Sequence, residues 1–169
     1  MNNTNFIFLD LDGVLVTSNQ LYTKKLHPKY GCPPFDKKCV KIFNEILEKT
    51  NSTIILSSDW KYHYNQAMIN EIFKWNNIKK PISNYTPSLW GIETSVEFNF
   101  KSLDDLEKCR ATEIIHFTGE RKLNNIKWVA IDDLDLNPFL PDKNFVQTPR
   151  ISEGIKQTGI KEKILKRLL

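Results

Sequence analysis

Cysteine is scarce in this chain of 169 residues, with only Cys32, Cys39 and Cys109 present. The count is odd and no two stand in a C-x-x-C spacing. A disulfide framework is therefore not indicated, and the thiols read as reduced and mostly structural, as in a cytosolic protein. Histidine is equally sparse. His27, His63 and His116 share no ligand spacing, which argues against a zinc site, although His63 stands close to a candidate motif. Long apolar runs are missing too. Met1 to Asn5 is polar, and the apolar stretch from Phe6 to Val16 is interrupted by Asp10 and Asp12. Neither a signal h-region nor a membrane span tolerates that. No internal repeat or low-complexity tract stands out. The expectation is a soluble, cytoplasmic protein with no membrane association, whose oligomeric state the sequence leaves open.

What is present is the composition of a globular protein. Hydrophobic residues make up 40% and charged residues 26%, and a chain of this length buries a full core without covalent staples. One domain over residues 1–169 is expected, with a core over about 5–150 and a C-terminal helix over about 158–169. The net charge of +4 suits a solvated surface and also a polyanionic substrate such as a nucleic acid end.

Short apolar runs alternate with helical patterns. Phe6-Ile7-Phe8-Leu9, Thr53-Ile54-Ile55-Leu56 and Lys127-Trp128-Val129-Ala130-Ile131 read as buried parallel strands. Pro81 to Tyr85 and Asn144 to Gln147 read as shorter ones. Asp36 is placed to cap a helix reaching about Lys49, with Cys39, Val40, Phe43, Ile46 and Leu47 inward. Further helices are predicted over about Tyr62–Trp75, from a capping-box-like Ser102/Asp105 to about Phe117, and over Ile160–Leu169. Residues 13–34 read as loop or a small hairpin, and residues 86–101 as irregular. The alternation implies a parallel sheet with helices on both faces.

In such sheets ligands bind beyond the carboxyl ends of the strands. Asp10, Ser57 and Asp132 each follow the last apolar residue of a predicted strand, so residues distant in sequence meet at one edge. Asp10 and Asp12, at i and i+2 of extended chain, point the same way. Two nearby carboxylates repel, and a divalent cation with a phosphoryl group between them relieves this. Gly13 permits a sharp turn and close approach of a ligand. The plain alternative is a capped strand-to-loop turn. Ser57-Ser58 offers hydroxyls for phosphate oxygens, or ordinary turn chemistry. Leu103, Leu106, Arg110, Ile114 and Phe117 form one helical stripe, and a guanidinium within it needs an anion or must snorkel from its rim. Lys101, Lys108 and Lys122 are alternative cations. Asp132-Asp133, with Asp135 behind, suits magnesium, or a helix N-terminus favoured by the dipole.

These clusters, in this order, resemble the haloacid dehalogenase (HAD) superfamily. Asp10-Leu11-Asp12-Gly13-Val14 matches its D-x-D-x-[TV] motif, Ile54 to Ser57 its second, Arg110 its basic third and Val129 to Asp133 its acidic fourth. The resemblance spans residues 6 to about 150. It implies a three-layer Rossmann-like fold without a large cap domain, and an Mg2+-dependent phosphatase working through an aspartyl-phosphate. Asp10 is then the nucleophile and Asp12 the general acid and base. Mg2+ is held by Asp10, the Asp12 backbone carbonyl and Asp132, with Asp133 acting through water or as a further ligand. Ser57, Ser58 and Arg110 bind the substrate phosphate. An acid at position 12 is similar to the phosphoryl-transfer members and not the carbon–halogen ones. Ile55 to Lys61 and Tyr85-Thr86-Pro87 also resemble small capless members, some linked to RNA repair. The implied substrates are a phosphorylated small molecule or a nucleic acid 3′-phosphate end, with Trp60, Tyr62, Tyr64 and Trp90 as exposed aromatic candidates if they do not pack. The competing reading is a catalytically idle domain of the same fold that binds phosphorylated partners.

Overall fold

The computed structural model describes residues 5–89, 102–123 and 126–169. Five short strands form one parallel sheet: β1 (Phe6–Leu9), β2 (Thr53–Leu56), β3 (Ile82–Tyr85), β4 (Trp128–Asp132) and β5 (Phe145–Gln147). Their spatial order is β3-β2-β1-β4-β5. The chain lays strands outward on one side of β1, then crosses to the other side for β4. The crevice between β1 and β4 is thus the topological switch point, where doubly wound sheets bind ligands.

Apolar residues on both sides of the sheet explain why the strands read as unbroken runs. Ile7, Leu9, Ile54, Leu56, Val129, Ile131 and Val146 enter one core with α2 (Lys37–Thr50), α3 (Gln66–Trp75) and α5 (Ile160–Leu168). Phe8, Ile55, Ala130 and Phe145 enter the other with Ala111, Ile114 and Phe117 of α4 (Leu103–Glu120). Phe8 meets Phe117 and Trp128 edge-to-face at 5.5 and 5.4 Å. The three-layer α/β architecture is the expected one, and among the described residues no large cap interrupts it. One short helix, α1 (Ser18–Leu21), stands in the loop after β1, in place of the small hairpin considered from sequence. Among the described residues no helix is long and apolar enough to cross a membrane.

Caps fix where the helices begin. The Asp36 carboxylate accepts from the backbone N–H groups of Lys38 and Cys39 at 2.8 and 3.1 Å. Both halves of the Ser102/Asp105 capping box are present. Two expectations shift. The helix predicted from Tyr62 begins at Gln66, because Asn65 caps Met68 N–H at 3.0 Å and residues Asp59–Tyr62 form a separate 3-10 turn. The inward stripe of α4 is shorter than the spacing implied: Arg110, Ile114 and Phe117 are buried, but Leu103 in the first turn is 62% exposed. Residues 90–101, most of the irregular stretch, lie outside the described residues, as do Trp90 and Lys101.

Asp36 also pairs with Lys156, tying α2 to the segment before α5. Burial acts to raise its pKa, but the Lys156 and backbone hydrogen bonds outweigh it and hold it below the ordinary value of 3.8. A depressed folded-state pKa contributes stability above the unfolded value, and that contribution is lost as pH falls through the folded value. Asp36→Ala should lower unfolding stability by about 1–2 kcal/mol in urea at pH 7. Asp36→Asn should lose less, since an amide still caps, and the gap between wild type and Asp36→Asn should close below about pH 4.

Candidate active site

The pairing of the sheet brings the candidate residues into line. Leu9 is in register with Leu56 on one side and Ile131 on the other. The next backbone groups continue that ladder: Asp10 N–H donates to Ile131 O at 3.0 Å and Ser57 N–H to Leu9 O at 2.8 Å. Asp10, Ser57 and Asp132 therefore stand side by side at the carboxyl edge, at the switch point.

Asp10 and Asp132 are buried. Carboxylate oxygens of Asp10, Asp132 and Asp133 lie within 4.8 Å of one another. Arg110 reaches in from α4 on the opposite face of the sheet from α2. Its Nη1 donates to Asp132 Oδ2 at 2.9 Å, to Asp10 Oδ1 at 3.2 Å and to the Ser57 carbonyl at 2.6 Å. Its Nη2 donates to Asp59 Oδ1 at 2.8 Å. Of the other cations considered, Lys108 and Lys122 are exposed.

One guanidinium is surrounded by more negative charge than it carries. Burial and the neighbouring Asp132 push the Asp10 carboxyl well above its ordinary pKa, with Arg110 opposing. Burial pushes Asp132 up to about 6 against the same Arg110, and burial raises Asp133 too. Such a set calls for more positive charge. Three hard oxygen donors converging on one point, with carbonyl and water positions still to fill, are the donors that Mg2+ takes. The residues present thus fit a magnesium site.

Gly13 closes the turn after β1. Its φ is +72°, and a Cβ there would fall 2.4 Å from an Asp133 carboxylate oxygen. The glycine is needed both for its backbone conformation and for the room it leaves Asp133. Asp12 is not one of the trio, although its charge acts on Asp133. Asp12 Oδ2 accepts from the Trp60 indole at 2.9 Å. Burial raises the Asp12 pKa despite that bond, a direction that suits a group carrying a proton to a leaving oxygen.

The Ser57 and Ser58 hydroxyls are buried and lack a hydrogen-bond partner. Ser58 is outside hydrogen-bond geometry, yet close enough to Asp10 to offset part of its raised pKa. A buried unpaired hydroxyl is costly, and beside the carboxylate cluster it is suited to a ligand oxygen.

Sequence reading missed several residues here. Lys61 Nζ donates to Glu113 Oε2 at 2.5 Å, to Thr86 Oγ1 at 3.0 Å and to the Pro87 carbonyl at 3.1 Å. Lys61 and Glu113 form a buried ion pair. The available signal was Glu113 itself, three residues after Arg110 and so on the same side of the helix. Trp60 is buried and Tyr64 packs against the core, so both take the packing alternative. Tyr62 is 42% exposed. His63 is exposed, its ring against Tyr64.

The family profile described as "HAD domain in Swiss Army Knife RNA repair proteins" matches residues 6–158. No curated protein and no solved structure matches the chain.

A carboxyl whose pKa is raised on folding favours the fold at low pH, and that contribution is lost as pH rises through the folded value. Metal-free protein should therefore lose thermal stability as pH rises from about 4 through the Asp132 value near 6. Millimolar MgCl2 should raise Tm, and more at pH 8 than at pH 5, because the ligands must be deprotonated. Differential scanning fluorimetry with and without EDTA reads both effects. Asp132→Asn should flatten them.

Proposed function

The chain belongs to the HAD superfamily, in the family of HAD domains described from RNA repair proteins, and from that premise we propose that it is an Mg2+-dependent phosphomonoesterase working through an aspartyl-phosphate. The observation that carries the reading is the flush placement of Asp10 and Asp132 at the switch point, both bonded by Arg110, beside the unpartnered Ser57 hydroxyl.

The chemistry follows from what each residue offers. Asp10 Oδ attacks phosphorus while the bond from phosphorus to the leaving oxygen breaks. Asp12 gives that oxygen a proton, then takes one from the water that releases phosphate and restores Asp10. Arg110 and the Ser57 and Ser58 hydroxyls bind the non-bridging oxygens, where charge accumulates in transfer. A magnesium ion among Asp10, Asp132 and Asp133 would supply the positive charge that lets a carboxylate approach a phosphate dianion. Gly13 keeps Asp133 close to that group by leaving it space.

The substrate we propose is a nucleic acid 3′-phosphate end. The family's RNA repair description supports it, as does a net charge of +4 in a polyanion's favour. So does the lack of a large cap among the described residues, which leaves room for a strand.

Purified protein should hydrolyse p-nitrophenyl phosphate with Mg2+ and stop on addition of EDTA. Asp10→Asn should remove turnover altogether, and Arg110→Met should reduce kcat/KM by about a hundredfold or more. A 3′-phosphorylated oligoribonucleotide should be preferred in kcat/KM over mononucleotides and sugar phosphates. Equal or better use of the small esters would overturn the nucleic acid assignment. Failure of every phosphate ester would leave the binding-domain reading in its place.

A further inference from the structure

The 3-10 turn Asp59–Tyr62 follows directly on Ser57-Ser58, and three consecutive side chains of it reach three parts of the site. Asp59 accepts from Arg110. Trp60 donates to Asp12. Lys61 binds Glu113, Thr86 and Pro87. Geometry of this kind is set by the turn's own bonds, from Lys61 N–H to Ser58 O at 3.1 Å and from Tyr64 N–H to Trp60 O at 2.9 Å.

Of the three contacts, the one to Asp12 has a consequence for the reaction. Asp12 is partly open to solvent in the turn after β1, its backbone bridged to Val16, and its short carboxylate has more than one rotamer to choose from. The Trp60 ring cannot follow it. It is 8% exposed and held edge-on by Phe35 at a centroid distance of 6.0 Å and tilted against Tyr64 at 5.4 Å. Indole N–H is a donor only, so a packed donor fixes one chosen oxygen of the Asp12 carboxylate.

We propose that Trp60 is the positioning residue for proton transfer: by holding Asp12 Oδ2 it presents Oδ1 to the leaving oxygen. This rests on the phosphatase reading and assigns the determinant of its acid step. As the phosphorus–oxygen bond breaks, its electron pair goes to the leaving oxygen, which takes the proton from Asp12 Oδ1. In the second half Oδ1 accepts the proton of the attacking water. The indole proton stays on Trp60 throughout.

Leaving-group dependence separates this role from a structural one. A good leaving group such as p-nitrophenolate needs little proton assistance, whereas an alkoxide needs it fully. The measurement is kcat/KM, which covers steps up to the aspartyl-phosphate, across aryl and alkyl phosphates. Trp60→Phe keeps a ring between Phe35 and Tyr64. It should lower kcat/KM for alkyl phosphates by about tenfold to a hundredfold, and for p-nitrophenyl phosphate by less than about threefold. Trp60→His, which retains a ring N–H, should recover part of the loss. In an Asp12→Asn background Trp60→Phe should add nothing. Loss of equal size for all leaving groups, or none, overturns the proposal while leaving the phosphatase reading intact. If wild type turns over no ester, both fall together. A second measurement needs no Trp60 variant: the indole N–H proton resonance of Trp60 should move upfield in Asp12→Ala, and an unmoved resonance also overturns the proposal.

Discussion

A buried guanidinium has to be neutralised where it stands, and most of this site is arranged around that requirement. Arg110 reaches the carboxyl edge from α4, so α4 must pack on the sheet at the height where Ile114 and Phe117 meet Phe8. Its partners must come from β1, β4 and the turn after β2, because those are the groups within reach. The cation supports the site from below, and yet it is outnumbered. Burial and mutual repulsion raise the pKa of Asp10, and burial raises Asp132 and Asp133. The shortfall in positive charge is one that a bound cation would meet and that an anionic ligand would deepen. Lys61 does not make it up, since it is committed to Glu113.

The elements that sequence made legible are those set by local chemistry. Phe6 to Leu9 and Thr53 to Leu56 are strands because nothing polar interrupts them, and their ends are visible because Asp10 and Ser57 follow. Asp36 and Ser102 show helix starts because their side chains satisfy the first N–H groups. Asp10, Asp132 and Arg110 converge as the pattern implied, because parallel register carries a line of residues across neighbouring strands.

What stayed illegible is non-local. Glu113 looks like an ordinary helical acid until Lys61 is brought beneath it, a pairing that depends on the turn after β2 and the chain after β3. Trp60 reads as a candidate stacking platform, but Phe35 and Tyr64 enclose it, and only its N–H reaches the site. Leu103 fits the spacing of an inward stripe, yet it lies outside the core that Ala111, Ile114 and Phe117 join and is exposed. Periodicity gives the direction of a side chain but not whether a partner layer extends that far.

The strand order bears on how the molecule is made. β1 is central, flanked by β2 and β4, and β4 begins only at Trp128. During synthesis β1 can pair with β2 early, but its other edge stays open until β4, which begins 72 positions after the end of β2, has emerged. An apolar edge exposed for that long is the hazard that holdase chaperones meet on nascent chains. The same event that closes the edge delivers Asp132 beside Asp10. A partly synthesised or misassembled chain thus carries Asp10 without Asp132 beside it.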